Sequence, residues 1–178
     1  EVLKVCRELG ILIVEDNPYG QLYFGAEPPK AIRSMDSEGV VYLGSFSKIL
    51  SPGLRVGYVL APPAIREKLV LANESAILSP ASFAQMLVSE YLSISDWQGQ
   101  IATYRNLYRT KRDSALAALA QYLPRVQTTR PEGGFFLWLT LPEGLNSKEM
   151  LPLAVTELVA YTPGTAFFGD GRGANNIR

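Results

Sequence analysis

The stretch Gly44–Tyr58 reads Gly-Ser-Phe-Ser-Lys-Ile-Leu-Ser-Pro-Gly-Leu-Arg-Val-Gly-Tyr, and it gathers an amine, a guanidinium and three serine hydroxyls around a Pro-Gly break. An amine that is desolvated or set beside another cation can act as a nucleophile toward a carbonyl or as a base. Hydroxyls and a guanidinium fork make an anion site. Lys48, with Ser45, Ser47 and Arg55, therefore offers a nucleophilic amine next to a place for a phosphate or carboxylate. Taken singly, Lys48 and Arg55 would be solvated loop charges, because long charged side chains are mostly exposed.

The flanking segments give the stretch its setting. Val40–Leu43 ahead of it and Val56–Ala61 behind it are short apolar, β-branched and aromatic runs of the kind that form buried strands. Earlier in the chain Ile11–Val14 is another such run, preceded by a helix over Glu1–Leu9 with Gly10 as its C-cap. That strand ends in Glu15-Asp16-Asn17-Pro18-Tyr19-Gly20. Helix, apolar strand, polar turn is the grammar of an α/β fold with a mainly parallel sheet, and such sheets hold ligands where their strands end. Asp16 stands at such an end, where a carboxylate can hold a cation. Asp-Asn-Pro would also form a turn with no ligand at all.

The two stretches together resemble the fold-type I, class I/II aminotransferases that use pyridoxal 5′-phosphate, in particular the 2-aminoadipate and aromatic aminotransferase branch. The family pattern Ser-x-Ser-Lys-x-x-x-Pro-Gly-Leu-Arg-x-Gly is met by Ser45, Ser47, Lys48, Pro52, Gly53, Leu54, Arg55 and Gly57, and Asp-x-Pro-Tyr by Asp16 and Tyr19. The resemblance implies that Lys48 is the catalytic, cofactor-bonded lysine. It implies that Asp16 faces the pyridine nitrogen and Tyr19 the phenolic oxygen, with Ser45, Ser47 and Arg55 on the phosphate. The Pro-x-Gly-Gly-x-Phe-x-Trp segment that opens the family's small lobe is met by Pro131, Gly133, Gly134, Phe136 and Trp138, and Pro163–Phe168 resembles its loop near the substrate. The ending Asn-Asn-Ile-Arg resembles Asn-x-(Ile/Leu)-Arg, which makes Asn175 and Arg178 the expected substrate-carboxylate residues.

The rest of the chain reads as support. Helices are expected over Ala64–Ala76, with Ile65, Leu69 and Ala72 on one face, and over Ser82–Leu92, with Phe83, Leu87, Val88 and Tyr91 in register. From Ser95, the recurrence of Trp97, Ile101, Tyr104, Tyr108, Ala115, Leu119 and Tyr122 predicts one long helix, roughly 40 Å at 1.5 Å per residue. Its Arg105, Arg109, Lys111 and Arg112 read as a solvated basic face. Beyond Pro124 the pattern becomes α+β. Strands are expected at Val126–Thr129, Phe135–Leu141 and Val159–Thr162, and a helix capped by Ser147 runs to about Leu158 despite Pro152. The Phe-Phe-Leu-Trp-Leu run reads as core, and Asp170–Asn175, rich in Gly and Asn, as mobile.

Two domains are expected: residues 1–94 as the C-terminal part of a cofactor-binding large domain, and 95–178 as a linking helix and an incomplete small domain. Residues with Lys or Arg number 17 and those with Asp or Glu 17, which leaves no footprint for nucleic acid or an anionic membrane. With no histidine and only Cys6, a metal site lacks its usual ligands and no internal disulfide can form, so a reducing compartment, the cytoplasm, is the expectation. No apolar run approaches a membrane span. The resemblance covers nearly all of the chain but matches about the C-terminal half of an aminotransferase. It implies an enzyme that moves an amino group between an α-amino acid and a 2-oxo acid and that is a homodimer at full length. Two rivals share the motifs: another pyridoxal-phosphate enzyme, a lyase or decarboxylase, and the aminotransferase-like effector domain of a winged-helix transcription regulator.

Overall fold

A computed structural model describes all residues, 1–178. The chain forms two compact units, Glu1–Arg105 and Asn106–Arg178, and the division between them falls inside the long helix.

In the first unit, helix α1 (Val2–Glu8) ends at Leu9, and Gly10, with φ +65°, turns the chain toward strand β1 (Ile13–Asp16). Strand β2 (Val40–Ser45) lies parallel to β1, and β3 (Gly57–Leu60) lies antiparallel on its other side, giving the order β1-β2-β3. The central strand carries the burial: Val40 is fully buried and Val41 nearly so. The expectation of three buried strands is corrected here. β1 and β3 are the edges of this sheet, and Val14 (60% exposed) and Val59 (44%) stay open.

Polar side chains fix the excursion between β1 and β2. Both carboxylate oxygens of Glu15 accept backbone N–H groups, from Ile32 at 3.1 Å and Arg33 at 3.0 Å, and so hold a short 3₁₀ turn, Ile32–Ser34, beside β1. Asp36 accepts from the amides of Gly39 (2.8 Å) and Glu38 (3.0 Å) and from Arg7 Nε (2.7 Å). Those bonds, the Gly39 amide foremost and then Arg7, hold its carboxyl below the ordinary carboxylate range.

Helix α2 (Pro63–Ile77) opens on Pro63 at the first helical position, where a missing N–H is harmless, but it fully buries none of its residues. Helix α3 (Ser82–Ile94) buries Ala84 and Val88, while Phe83 is 78% exposed, so the inner face is rotated from the one expected. Helix α4 (Trp97–Tyr122) has the expected length and continues from the first unit into the second. Along it, Trp97, Ile101, Tyr104, Arg105, Tyr108, Arg112, Ala115 and Leu119 are half-buried or buried and share one stripe. Two arginines seven residues apart therefore sit in the inner stripe, while Arg109 and Lys111 are exposed. The solvated basic face is thus corrected for Arg105 and Arg112: Arg105 Nε donates to the carbonyl of Gln21, and Arg112, its side chain only 12% exposed, donates to the carbonyl of Pro131.

The second unit holds an antiparallel sheet of order β4-β5-β6: Gln127–Thr128, Leu139–Thr140 and Asn176–Ile177. The expected strand Phe135–Leu141 shrinks to β5, because its hairpin partner β4 is equally short; Thr129 N–H to the Trp138 carbonyl (3.0 Å) adds one more rung. Helix α5 (Ser147–Thr156) is capped by Asn146, not by Ser147: Asn146 Oδ1 accepts from Lys148 and Glu149, and its Nδ2 reaches back to Glu149. That reciprocal arrangement engages both ends of the Asn146 amide at the start of the helix. Val159–Thr162 forms no strand; Thr162 and Arg178 exchange two backbone hydrogen bonds (3.0 and 2.9 Å), and Pro163 then bridges to Ile177. No helix is long and apolar enough to cross a membrane.

Candidate functional site

Strand register places the expected residues of the first unit. Asp16 is the last residue of β1 and lies opposite Leu43, so it shares a sheet face with Leu43 and, two residues on, with Ser45, the last residue of β2. Asn17 N–H donates to the Leu43 carbonyl (3.1 Å) and carries the pairing just past Asp16. Ser45 in turn lies opposite Gly57, the first residue of β3, so Arg55 precedes β3 at the same edge. Two strands end and a third begins at one rim, and the connections there carry Tyr19, Ser47, Lys48 and Arg55.

Local chemistry shapes the β2-β3 connection. Gly44 pairs with Tyr58, and a Cβ on Gly44 would stand 2.2 Å from Tyr58 Cζ, so only glycine lets the tyrosine ring lie across β2 just before Ser45. After Ser45 the chain coils: Ser45 Oγ accepts from Ser47 N–H (3.1 Å), and the Phe46 carbonyl accepts from Leu50 (2.9 Å) and Ser51 (3.1 Å). That turn points Lys48 back over the β1 end, where its Nζ lies 6.0 Å from the centroid of the Tyr19 ring. The 3₁₀ turn Pro52–Leu54 follows, and Arg55 closes it in the left-handed region (φ 54°, ψ 36°). Its guanidinium makes one long contact, Nη1 to the Pro52 carbonyl at 3.4 Å.

Ser45, Ser47, Lys48 and Tyr19 are half-buried, whereas Asp16 and Arg55 are exposed. The opposite sheet face is a separate cluster: Tyr42, Tyr58 and Asn17. Burial pushes the Tyr42 hydroxyl above its ordinary pKa, Tyr58 adds to this, and a hydrogen bond with Asn17 opposes it.

In the second unit Arg178 has a prepared setting that the sequence reading missed. Its guanidinium carbon lies 4.2 Å from the Phe136 ring centroid and 4.6 Å from that of Phe167. Trp138 packs edge-on against Phe167 (5.4 Å), and Arg178 Nη2 reaches Thr162 Oγ1 at 3.4 Å. Phe136, read as core, is 44% exposed and serves as a platform for the arginine. The signal was the alternation of rings at Phe136 and Trp138 in the expected strand, although the observed strand is only Leu139–Thr140. Asn175 is placed differently from Arg178: its Nδ2 donates to the Leu141 carbonyl (3.0 Å), and its own carbonyl accepts from Leu141 N–H (2.8 Å). Its amide nitrogen thus ties the Gly-rich segment to the end of β5.

The first unit therefore presents an amine beside a tyrosine at the rim of an α/β sheet, with a carboxylate and a hydroxyl-guanidinium set at the same rim, and the second presents an arginine on aromatic rings. The groups of the first unit suit a carbonyl-bearing, phosphorylated ligand, and the arginine of the second suits a carboxylate. The chain belongs to the aminotransferase class I and II family, whose description matches residues 1–173. It is 42% identical to aromatic-amino-acid aminotransferase 1 of Thermococcus litoralis, over 99% of this chain and 43% of that protein. The solved α-aminoadipate aminotransferase of Thermus thermophilus, complexed with N-(5′-phosphopyridoxyl)-L-leucine, superposes with a TM-score of 0.92 at 41% identity, over 99% of this chain and 46% of that one. A helix-turn-helix-type transcriptional regulator of Bacillus subtilis is 31% identical over 100% of this chain and 37% of its own length. The chain spans less than half the length of each of these relatives, and the fold it shares with the solved structure is that of the fold-type I aminotransferases.

Proposed function

We propose that the protein carrying this chain is a pyridoxal 5′-phosphate-dependent aminotransferase, which moves an amino group between an α-amino acid and a 2-oxo acid. The observation that carries the reading is the Lys48 amine poised 6.0 Å from the Tyr19 ring at the rim where Asp16 and Ser45 end their strands. The donor set fits the cofactor. Hydroxyls on Ser45 and Ser47 and the guanidinium of Arg55 suit a phosphate, and the Asp16 carboxylate suits a protonated pyridine nitrogen. When bound, the cofactor supplies an electron sink for the substrate's α-carbon.

The chain's own residues do the rest. Lys48 Nζ would hold the cofactor covalently and would take and return the proton at the substrate α-carbon. Asp16 would keep the ring nitrogen protonated, and the Tyr19 hydroxyl would donate to the phenolic oxygen. Arg178, its plane set by Phe136 and Phe167, grips the substrate α-carboxylate, and Asn175 shapes the segment that delivers it. In this reading residues 1–94 belong to the cofactor-binding domain and 95–178 to the linking helix and small domain. The full protein is a cytoplasmic homodimer, and aromatic amino acids and 2-aminoadipate are the donors to assay first, given the relatives named above.

The test uses the protein at its full natural length. Borohydride reduction after loading with pyridoxal 5′-phosphate should leave a pyridoxyl mark on Lys48, mapped by mass spectrometry, and Lys48→Ala should lose it along with amino-group exchange into 2-oxoglutarate. A mark that persists at unchanged stoichiometry in Lys48→Ala would show that another lysine is used. Release of ammonia or carbon dioxide without exchange would point to a lyase or decarboxylase. The regulator reading draws support from the B. subtilis relative, and specific DNA binding without exchange would favour it.

A further inference from the structure

The turn that carries Tyr19 is held from a distance. Leu22 N–H donates to the Tyr19 carbonyl (2.8 Å), closing the turn on itself. The Leu22 side chain is fully buried and Phe24 is 7% exposed, which anchors the following residues in the first unit. Between and beyond those anchors, one residue from helix α4 engages the turn at two points. Arg105 Nε donates to the Gln21 carbonyl at 2.7 Å, across 84 residues of sequence, and its guanidinium carbon lies 3.7 Å from the centroid of the Tyr23 ring. At 3.7 Å the guanidinium carbon is in close contact with the Tyr23 ring, well inside cation–π range, and a charge-assisted bond of 2.7 Å is short for an N–H donor. Gln21 and Tyr23 flank Leu22, so the two contacts fix the backbone on either side of the residue that closes the turn onto Tyr19.

We propose that Arg105 is a positioning residue for Tyr19: by clamping Gln21 and Tyr23 it sets where the Tyr19 hydroxyl stands relative to Lys48. The proposal rests on the functional reading above, in which that hydroxyl meets the cofactor's phenolic oxygen. A guanidinium can meet an aromatic ring through its carbon while its Nε–H donates to a carbonyl; a lysine ammonium offers charge but neither the plane nor the fork. A solvated arginine would do neither, and Arg105 occupies the inner stripe of α4 together with Ile101 and Tyr108.

The experiment compares Arg105→Lys, Tyr19→Phe and the double variant in the full-length protein, with Ile101→Val as a control that loosens the same helix without touching the clamp. Amide exchange at Leu22, measured without cofactor, should quicken at least about tenfold in Arg105→Lys and stay near wild type in Ile101→Val. With pyridoxal 5′-phosphate bound, the pH midpoint of its visible absorption should move in Tyr19→Phe. It should move in the same direction in Arg105→Lys, no further in the double variant, and not at all in Ile101→Val. Unchanged Leu22 exchange in Arg105→Lys overturns the clamp. A midpoint that moves in Tyr19→Phe but not in Arg105→Lys overturns the positioning role, and a midpoint that Tyr19→Phe leaves alone removes its object. Failure of the wild type to form any Lys48-bound cofactor instead overturns the functional reading, and the Leu22 exchange still judges the clamp.

Discussion

Arg55 offers the sharpest test of the rim as an anion site, because its backbone works against stability. At φ 54° and ψ 36° its Cβ crowds the following carbonyl, a conformation that costs an L-residue roughly 1–2 kcal/mol and glycine almost nothing. Glycine brings an unfolded-state entropy penalty of roughly 0.5–1 kcal/mol in return. The arginine side chain loses little when removed, since its contact with the Pro52 carbonyl is 3.4 Å long and exposed. Arg55→Gly should therefore leave the cofactor-free protein as stable as wild type or more stable by about 0.5–1 kcal/mol, and Arg55→Asn, which visits this region readily, should gain a similar amount. Binding should move the other way: losing a hydrogen-bonded cation from a phosphate site costs about 1.5–3 kcal/mol, about 10- to 150-fold in affinity. Urea denaturation without cofactor and titration with pyridoxal 5′-phosphate read the two quantities separately. Arg55→Lys keeps the strain and the charge, so its stability should match wild type while its affinity falls by less. If Arg55→Gly loses stability by more than about 1 kcal/mol, or binds cofactor as tightly as wild type, the argument that a strained arginine is kept at the rim for its anion is wrong.

Two further outcomes concern stability alone. Asp36 is held below its ordinary range in the folded state, so it contributes stability above its unfolded pKa, and that contribution is lost as pH falls through the folded value. Denaturation followed from neutral to acid pH should show Asp36→Asn weaker than wild type at pH 7, with the gap closing through the acid limb; a gap that is constant with pH would contradict the assignment. Ser147 is fully buried with no partner for its Oγ, whereas its backbone carbonyl accepts from the Tyr161 hydroxyl (2.8 Å). An unpaired buried hydroxyl costs about 1–3 kcal/mol, so Ser147→Ala should be neutral or stabilising in thermal melts, and a loss above about 1 kcal/mol would mean that the hydroxyl is bonded, for instance by a water.

The sequence was most informative where local chemistry alone decides the outcome. Apolar β-branched runs gave β1, β2 and β3 their places, and the heptad-like recurrence from Trp97 gave α4 almost to the residue. It was least informative where tertiary partners decide. Val59 has the character of a core residue, yet β3 is an edge strand and leaves it open. Asn146 and Ser147 are both good caps by type, and only the reach of Glu149 back to Asn146 selects between them. Arg105 and Arg112 were grouped with Arg109 and Lys111 by charge. Helical periodicity separates them, since 101, 105, 108, 112, 115 and 119 form one stripe. An arginine that interrupts an apolar stripe at the right spacing reads as a half-buried donor in search of a carbonyl, and the contacts with Gln21 and Pro131 supply one to each.

The reversal of direction at β3 explains why so few residues can build the rim. In a purely parallel sheet, each strand would deliver its end to the rim only after a separate crossover connection. Here β2 leaves the rim at Ser45 and β3 returns from it at Gly57, so one uninterrupted connection supplies Ser47, Lys48 and Arg55, and the parallel neighbour β1 adds Asp16 and Tyr19 beside it. The amine and the arginine are thereby fixed to the same two strand ends, and their spacing depends on the Gly44–Tyr58 pair and the 3₁₀ turn between them. A side chain on Gly44 must displace the Tyr58 ring from its place across β2, and with it one of the two features on which that spacing depends.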